Sequence, residues 1–464
     1  MDMFIFTLDK TGGLPLYEQL YNGIKEAIIS QKIKENEKLP SKRKLADFLN
    51  ISQTTIELAY AQLLAEGYIS SKARVGYFVE TLDELPYIEI TTPQQDFNLA
   101  ETPSYLYDFN PGVIDTASFP FSTWRKYARD VYDENNAHLL LAGEAQGEYA
   151  LRTEIAKYLY QSRGVQCTPE QIVIGSGTEQ LLPMLIRLFN HYTVFALENP
   201  GYPSVARILR QHNRIPLPIT VDEEGINIQA LESTNADVVY ITPSHQFPTG
   251  AVLSATRRTQ LLNWAAASPS RFIIEDDYDS EFRYTGKPIP ALQALDTNQK
   301  VIYMSTFTKS LMPSLRVAYF VLPLPLLSTY NSLFTYYSST VPRFDQHILA
   351  NFMQQGHFAK HLNRMRKVYR KKHNELIEVL ASYEGIEVSG SQAGMHVVLT
   401  VHDHDEKILL QQAKEAGIAV YPLSRYILRD TPVTKAQFLI GFGGLSTIAT
   451  AIEKLMEAWH IKKV

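Results

Sequence analysis

The sequence predicts an α/β chain in two folded parts: a small helical unit that closes on a hairpin, and a much larger layered α/β domain behind it. Three observations carry this. At 464 residues the chain is too long for one ordinary domain. Apolar residues near the start recur at the spacing of short helices, whereas beyond residue 107 short apolar runs alternate with longer helical ones. Between these regions, residues 75–124 contain no Lys or Arg. Hydrophobic residues at 45% and charged residues at 20% fit a globular chain and exclude a wholly disordered one.

In the small unit, Leu16, Leu20, Ile24 and Ile28 mark one helix, Leu45 and Leu49 a second, and Ile56, Leu63 and Leu64 a third. Tyr68-Ile69 and Tyr77-Phe78-Val79 then flank a polar turn containing Gly76, which reads as a two-stranded hairpin. The second helix runs from about Ser41 to Leu49, Asn50-Ile51-Ser52 forms a tight turn, and the third helix starts near Gln53, which is helix-turn-helix spacing. In such a unit the later helix enters the DNA major groove, so Gln53, Thr54 and Thr55 are the candidate reading head. Lys42, Arg43 and Lys44 at a helix start, with Lys72 and Arg74 at the hairpin tip, are placed to meet phosphate. The balance of charge does not favour nucleic acid: residues 1–79 hold ten Lys/Arg against nine Asp/Glu, and the whole chain carries −5. A protein-binding helical module with a solvated Lys-Arg-Lys face is the competing reading.

Next comes an acidic stretch with Asp83, Glu84, Glu89, Asp96 and Glu101, broken by Pro86, Pro93 and Pro103. It predicts a linker over residues 81–106, joining a 1–80 reader to a 107–464 domain. The opening MDMFIFTLDK lacks a signal peptide's basic start, and no run of about 18 apolar residues is present, so a cytoplasmic protein without membrane contact is expected. Cys167 is the single cysteine, which excludes an intramolecular disulfide and the commoner zinc clusters; no metal is expected.

In the large domain, strands are predicted at Ile172–Ile174, Val194–Leu197, Val238–Ile241, Phe272–Ile274, Val301–Met304 and Val317–Val321. Four signals fall at their C-terminal ends, where ligands of open α/β sheets collect. Gly175-Ser176-Gly177-Thr178-Glu179 opens a helix whose N–H groups can hold a phosphate. Asn199-Pro200-Gly201-Tyr202 offers an aromatic ring for stacking. Glu275-Asp276-Asp277-Tyr278 offers a carboxylate for a protonated ring nitrogen and a phenol for a ring oxygen. Ser305-Thr306-Phe307-Thr308-Lys309, with Arg316 seven residues on, combines an amine nucleophile with hydroxyls and a guanidinium for a phosphate dianion. Each alone is ambiguous between a site and an ordinary turn, core aromatic or acidic surface. In this order they reinforce one another.

Two resemblances sharpen the reading. Residues 12–80 resemble a GntR-type winged helix through Pro15-Leu16-Tyr17, Leu39-Pro40-Ser41, Gly67-Tyr68 and Gly76-Tyr77-Phe78-Val79. The resemblance implies phosphate or base contacts from Ser41 and Arg43, major-groove contacts from Gln53, Thr54 and Thr55, and a wing contact from Arg74 and Gly76. Residues 107–460 resemble the fold-type I aminotransferases, which use pyridoxal 5'-phosphate (PLP), through the four signals and blocks such as Asn110-Pro111-Gly112, Arg163-Gly164-Val165 and Thr242 to Gly250. The fusion resembles the MocR/GabR family of transcription regulators. Position by position it implies an internal aldimine at Lys309, a pyridine-nitrogen partner in Asp276, a ring-hydroxyl ligand in Tyr278 and a stacking ring in Tyr202. Gly177, Thr178, Glu179, Thr306, Thr308 and Arg316 would hold the phosphate.

One departure stands out: an aminotransferase has Asn directly before Pro-Thr-Gly, and this chain has Phe247, so Ser244 or His245 is the expected substitute at the ring oxygen. No arginine marks the late strand near Phe442-Gly443-Gly444, which makes Arg425 the candidate for an effector carboxylate. The basic run from Lys360 to Lys372 reads as a solvated helix face, with auxiliary DNA contact as the other reading. The resemblance implies a homodimeric, PLP-dependent regulator of a double-stranded DNA operator, responding to a small amine, an amino acid or PLP itself. A working aminotransferase with an accessory DNA-binding module is the alternative.

Overall fold

The computed structural model describes residues 8–9, 13–81, 104–286, 289–428 and 435–464. The chain divides into two compact units, Met1–Glu101 and Thr102–Val464.

The first unit holds helices Leu16–Ile29, Lys42–Leu49 and Gln53–Ala65, followed by the antiparallel pair Ile69–Lys72 and Gly76–Val79, with Ile69 opposite Val79. The turn between the second and third helices follows from its residues. Asn50 adopts a left-handed conformation (φ 50°) that ends one helix, and Ser52 Oγ accepts from Thr55 N at 3.1 Å to start the next. Leu20, Ile24, Ile28, Leu45, Ile56, Leu63, Ile69 and Val79 close a single core. Leu64 is exposed, against expectation, because Leu63 already fills the inward position two turns after Ile56. Tyr60 joins helix to wing: its hydroxyl donates to Pro40 O at 2.9 Å and its ring meets Tyr77 edge-on.

In the second unit an eight-stranded sheet runs in the order Ile172–Gly175, Ala318–Val321, Val301–Thr306, Phe272–Asp277, Val238–Ile241, Phe195–Asn199, Leu217–Asp222, Gly225–Ile226. Ala318–Val321 is antiparallel to both neighbours and the last two strands form a hairpin; the other pairs are parallel. All six predicted strands form. The largest revision is at Phe272, whose strand continues to Asp277, so Glu275, Asp276 and Asp277 lie buried inside the sheet rather than as an acidic cluster beyond its end. A second, four-stranded sheet (Ile386–Ser389, His396–Val401, Ala436–Gly441, Tyr421–Pro422) was not predicted; it packs with helices His357–Leu380 and Ile448–Ala458 around Tyr369, Val397, Phe438 and Leu455.

Of the expected 81–106 linker, residues 82–103 lie outside the described residues. The backbone is already packed at Leu106, whose N–H donates to Gly417 O at 2.7 Å, one residue before the expected start of the domain. The basic helix face is only partly solvated. Lys372 pairs with Asp115 at 2.8 Å, Arg366 Nε donates to Glu281 O at 2.9 Å, Arg364 donates to Ser118 O, and His361 is buried. Lys360, Lys367, Arg370 and Lys371 remain exposed. Among the described residues, no helix is long and apolar enough to cross a membrane.

Candidate cofactor pocket and nucleic-acid interface

Loops at the C-terminal ends of the parallel strands enclose a cavity of about 350 Å³, within the usual range of small-molecule sites. All ten nominated cofactor residues line it: Tyr202, Gly177, Thr178, Glu179, Asp276, Tyr278, Thr306, Thr308, Lys309 and Arg316. In its wall the helix Thr178–Arg187 begins at Gly177 with no side-chain cap, which leaves its first N–H groups for an anion. Gly177 has φ +141°, and a Cβ there would overlap the Arg316 guanidinium, so the close approach requires glycine. Thr306 Oγ1 and Thr308 Oγ1, in the same wall, stand 2.7 Å apart. Arg316 Nη2 donates to Glu179 Oε2 at 3.2 Å. Glu179, as an anion, can serve a phosphate only through its backbone N–H.

Asp276, also in the wall, is buried and accepts from the Tyr240 hydroxyl. Burial pushes its carboxyl up to about 7, against the opposing effect of that hydrogen bond. Lys309 follows the strand Val301–Thr306 and donates to Pro111 O. Desolvation in the cavity wall pulls its ammonium down to about 8, toward the neutral amine a nucleophile needs; the charge of Asp279 works the other way. Tyr202 caps the helix Pro203–Gln211 and meets Phe247 edge-on, with centroids 5.7 Å apart. A cationic, hydroxyl-rich cup and a buried carboxyl, with a softened lysine also in the wall, fit a phosphorylated pyridine aldehyde by donor set.

Three expectations need correction. Ser244 does not line the cavity; its buried hydroxyl accepts from Arg163 Nη2 at 2.6 Å, and Arg163 is itself held by Asp277 at 2.7 Å. His245 does not line it either; it lies behind Tyr278, with Nδ1 2.9 Å from the tyrosine oxygen. Arg425 is exposed on the turn Leu423–Tyr426, and that turn directs Tyr426 into the cavity instead. Arg316 is therefore the only guanidinium among the described lining residues. Phe247, the departure from the aminotransferase pattern, supplies a hydrophobic wall, edge-on to Tyr278 and Tyr426 at 6.0 and 5.1 Å.

Tyr240, His396 and Tyr426 went unnominated. Tyr240 is an apolar strand position by pattern, and the other two belong to the second sheet and its turn, so their place at the site depends on long-range packing. Cys167 is half-buried against core residues, and desolvation pushes its thiol up to about 12, which makes it a packing residue.

In the first unit, Arg43, Gln53, Thr54 and Arg74 are exposed. Thr55 is half-buried and spends its hydroxyl on Ser52 Oγ at 2.8 Å, and Ser41 Oγ accepts from Lys44 N at 3.3 Å, so both act first as helix-start residues. Lys42 turns back to Glu57 at 3.4 Å and over the Tyr77 ring, and Lys72 lies over Phe78. Arg74 takes φ +60° at the hairpin tip, while Gly76 takes φ +133° against the Lys38 side chain.

Comparison with known proteins agrees with both units. Residues 107–438 match the family described as aminotransferase class I and II, and residues 16–79 match bacterial regulatory proteins of the gntR family. The uncharacterized HTH-type transcriptional regulator YdeL of Bacillus subtilis is 45% identical, covering 99% of this chain and all of that one. The HTH-type pyridoxine biosynthesis transcriptional regulator PdxR of Corynebacterium glutamicum is 31% identical over 88% of each chain. Among solved structures, the kynurenine aminotransferase of Pyrococcus horikoshii superposes with a TM-score of 0.67 at 25% identity, covering 77% of this chain and 91% of that one.

Proposed function

Because the chain belongs to the aminotransferase class I and II family and, with its gntR-type reader, to the MocR/GabR family of HTH-type transcription regulators, we propose that it couples operator binding to occupancy of a PLP site at Lys309. The observation that carries this reading is the gathering of all ten nominated residues around one cavity. When bound, PLP supplies an electron-withdrawing ring and an aldehyde able to condense with an amine. Arg316, Thr306, Thr308 and the N–H groups after Gly177 would hold its phosphate. Asp276 would face the ring nitrogen, Tyr202 the ring face and Tyr278 the ring oxygen. The amine of Lys309 would be the point of attachment, and a small amine or amino acid that competes for it is the effector class the site favours. A response also requires that the ligand bind one conformation of the regulator better than another.

In the reader, Gln53 and Thr54 are assigned to base edges, and Arg43 and Arg74 to phosphates; Ser41, Thr55 and Gly76 shape the contact surface. A homodimer is supported by exposed apolar side chains on two segments that meet. Leu140 and Leu141 are 77% and 70% exposed, and Tyr132 stacks on Phe344 at 4.5 Å. Arg343 ties the segments together by donating to His138 O and Leu141 O.

A second reading, a working aminotransferase, is favoured by the intact Lys309, Asp276 and Arg316. Phe247 and the lack of a second guanidinium among the described lining residues weigh against it. The relative named for pyridoxine biosynthesis supports PLP itself among the candidate effectors.

The test is the visible spectrum of purified protein with PLP, before and after borohydride, together with operator affinity with and without PLP and candidate amines. A band abolished by reduction and absent from Lys309→Ala supports the cofactor reading. Equal operator affinity under every ligand condition would reject the sensing role, and sustained amino transfer over many turnovers would favour the second reading.

A further inference from the structure

Beneath the cavity lies a buried pair that no part of the cofactor reading uses. His245 and Asp279 are each 1% exposed, and His245 Nδ1 stands 3.0 Å from Asp279 Oδ2 and 2.9 Å from the Tyr278 oxygen. One nitrogen thus faces two oxygens, and its proton can be placed by elimination. A buried carboxylate needs a donor, and among the described residues His245 is the side chain hydrogen-bonded to Asp279, so Nδ1 carries hydrogen. A protonated Nδ1 cannot accept from Tyr278, so the tyrosine oxygen accepts a share of that one hydrogen, which is bifurcated between it and Asp279. The tyrosine's own hydrogen is then left for the cavity. Gly394 holds the arrangement in place: it packs so closely on the imidazole that a Cβ would overlap it. His396 lies alongside with its ring tilted by 47°, its Nε2 engaged with Pro248 O at 3.0 Å.

We propose that Asp279 and His245 are positioning residues that set Tyr278 as an obligate hydrogen-bond donor toward the cofactor's ring oxygen, so that a single relayed donor does the work left undone where Phe247 replaces an amide. Asp279 orients the imidazole, the imidazole N–H occupies the tyrosine's lone pair, and the tyrosine O–H points into the cavity. No net proton transfer is involved. The inference rests on the cofactor reading above, and its test separates the two failures.

The readout is the pH midpoint of the visible band of PLP-loaded protein. A hydrogen bond donated to the ring oxygen stabilises that oxygen as an anion, which favours loss of the proton it shares with the linked lysine nitrogen. Removing the bond raises the midpoint. Tyr278→Phe should raise it by about one unit, and His245→Ala by about half of that or more. His245→Asn should restore the wild-type value, because its amide can donate to both oxygens. Adding His245→Ala to Tyr278→Phe should produce no further shift. Asp279 variants are a poorer test, since its charge also acts directly on Lys309.

A wild-type midpoint in His245→Ala, or an equal shift in the Tyr278→Phe background, would overturn the proposal. So would a midpoint that moves on adding a chelator and returns with zinc, since His245, Asp279 and His396 offer donors within 4.8 Å of one another. Should His245→Ala fail to fold, histidine-selective 15N spectra of cofactor-free wild-type protein decide: a proton on His245 Nδ1 is expected, and its absence refutes the relay. Loss of the visible band from wild type would instead defeat the cofactor reading while leaving the 15N result intact.

Discussion

The reader and the pocket place function on opposite sides of the hydrophobic boundary. In the reader the core is complete without the residues proposed to touch DNA: Leu20, Ile56 and Leu63 are buried while Arg43, Gln53, Thr54 and Arg74 are exposed. In the pocket the functional groups lean on the structural ones. Asp276 depends on Tyr240, Tyr278 on His245, and the neighbouring strand position Asp277 anchors Arg163. A reader residue can therefore be changed with little effect on folding, whereas a change near the pocket disturbs stability and chemistry together.

The largest expected effect tests the chemistry of the pocket. Lys309→Ala should abolish the borohydride-sensitive band while leaving operator binding by the ligand-free protein within a few-fold of wild type; if operator binding collapses as well, the two functions are not separable. For the wild type, the loading rate should rise with pH and level off above about 8, because desolvation lowers Lys309 from its ordinary value and only the neutral amine reacts. A rate still climbing toward pH 10 would show an ordinary, solvated lysine.

Next is the cost of breaking a pocket support. Arg163→Ala leaves the buried Asp277 without its cation, and about 3–5 kcal/mol should be lost from the denaturant transition of the large unit. A loss below 1 kcal/mol would contradict the coupling of structure and site. Reader substitutions should behave in the opposite way. Gln53→Ala should cost about 1–3 kcal/mol of operator affinity and relax sequence preference, with unchanged melting, and Arg43→Ala should reduce the salt slope of binding by about one. The smallest effect is expected for Ser52→Ala, which removes the cap on Thr55 and should lower the reader's stability by about 1 kcal/mol. If it lowers operator affinity more than stability, Ser52 belongs to the contact surface.

Legibility in the sequence followed the range of the interactions. The reader's helices, its turn and its hairpin were readable because caps and periodicity act within a few residues; only Leu64, set by which of two adjacent leucines faces inward, was misplaced. The four ligand signals were readable because each is a short run at a strand end. What failed was partnership. Ser244, His245 and Arg425 were all proposed for contacts with bound groups, and each is oriented by a residue or a turn that local pattern does not reveal. Tyr240 and His396 were missed for the same reason, their partners lying on strands and loops distant in sequence.

By itself, the sequence determined that a GntR-type winged helix precedes an aminotransferase-type α/β domain, and which residues stand at the strand ends that line its cavity. Propensity, capping and strand-end placement are local, and side-chain chemistry is inherent in each residue. The tertiary structure alone decided that Asp276 is buried and raised, that Lys309 is lowered, that Phe247 walls the cavity and that His245 stands behind Tyr278. Desolvation and hydrogen-bond pairing depend on segments more than thirty residues apart meeting, as His245 and Asp279 do across 34 positions, and no local pattern encodes that encounter.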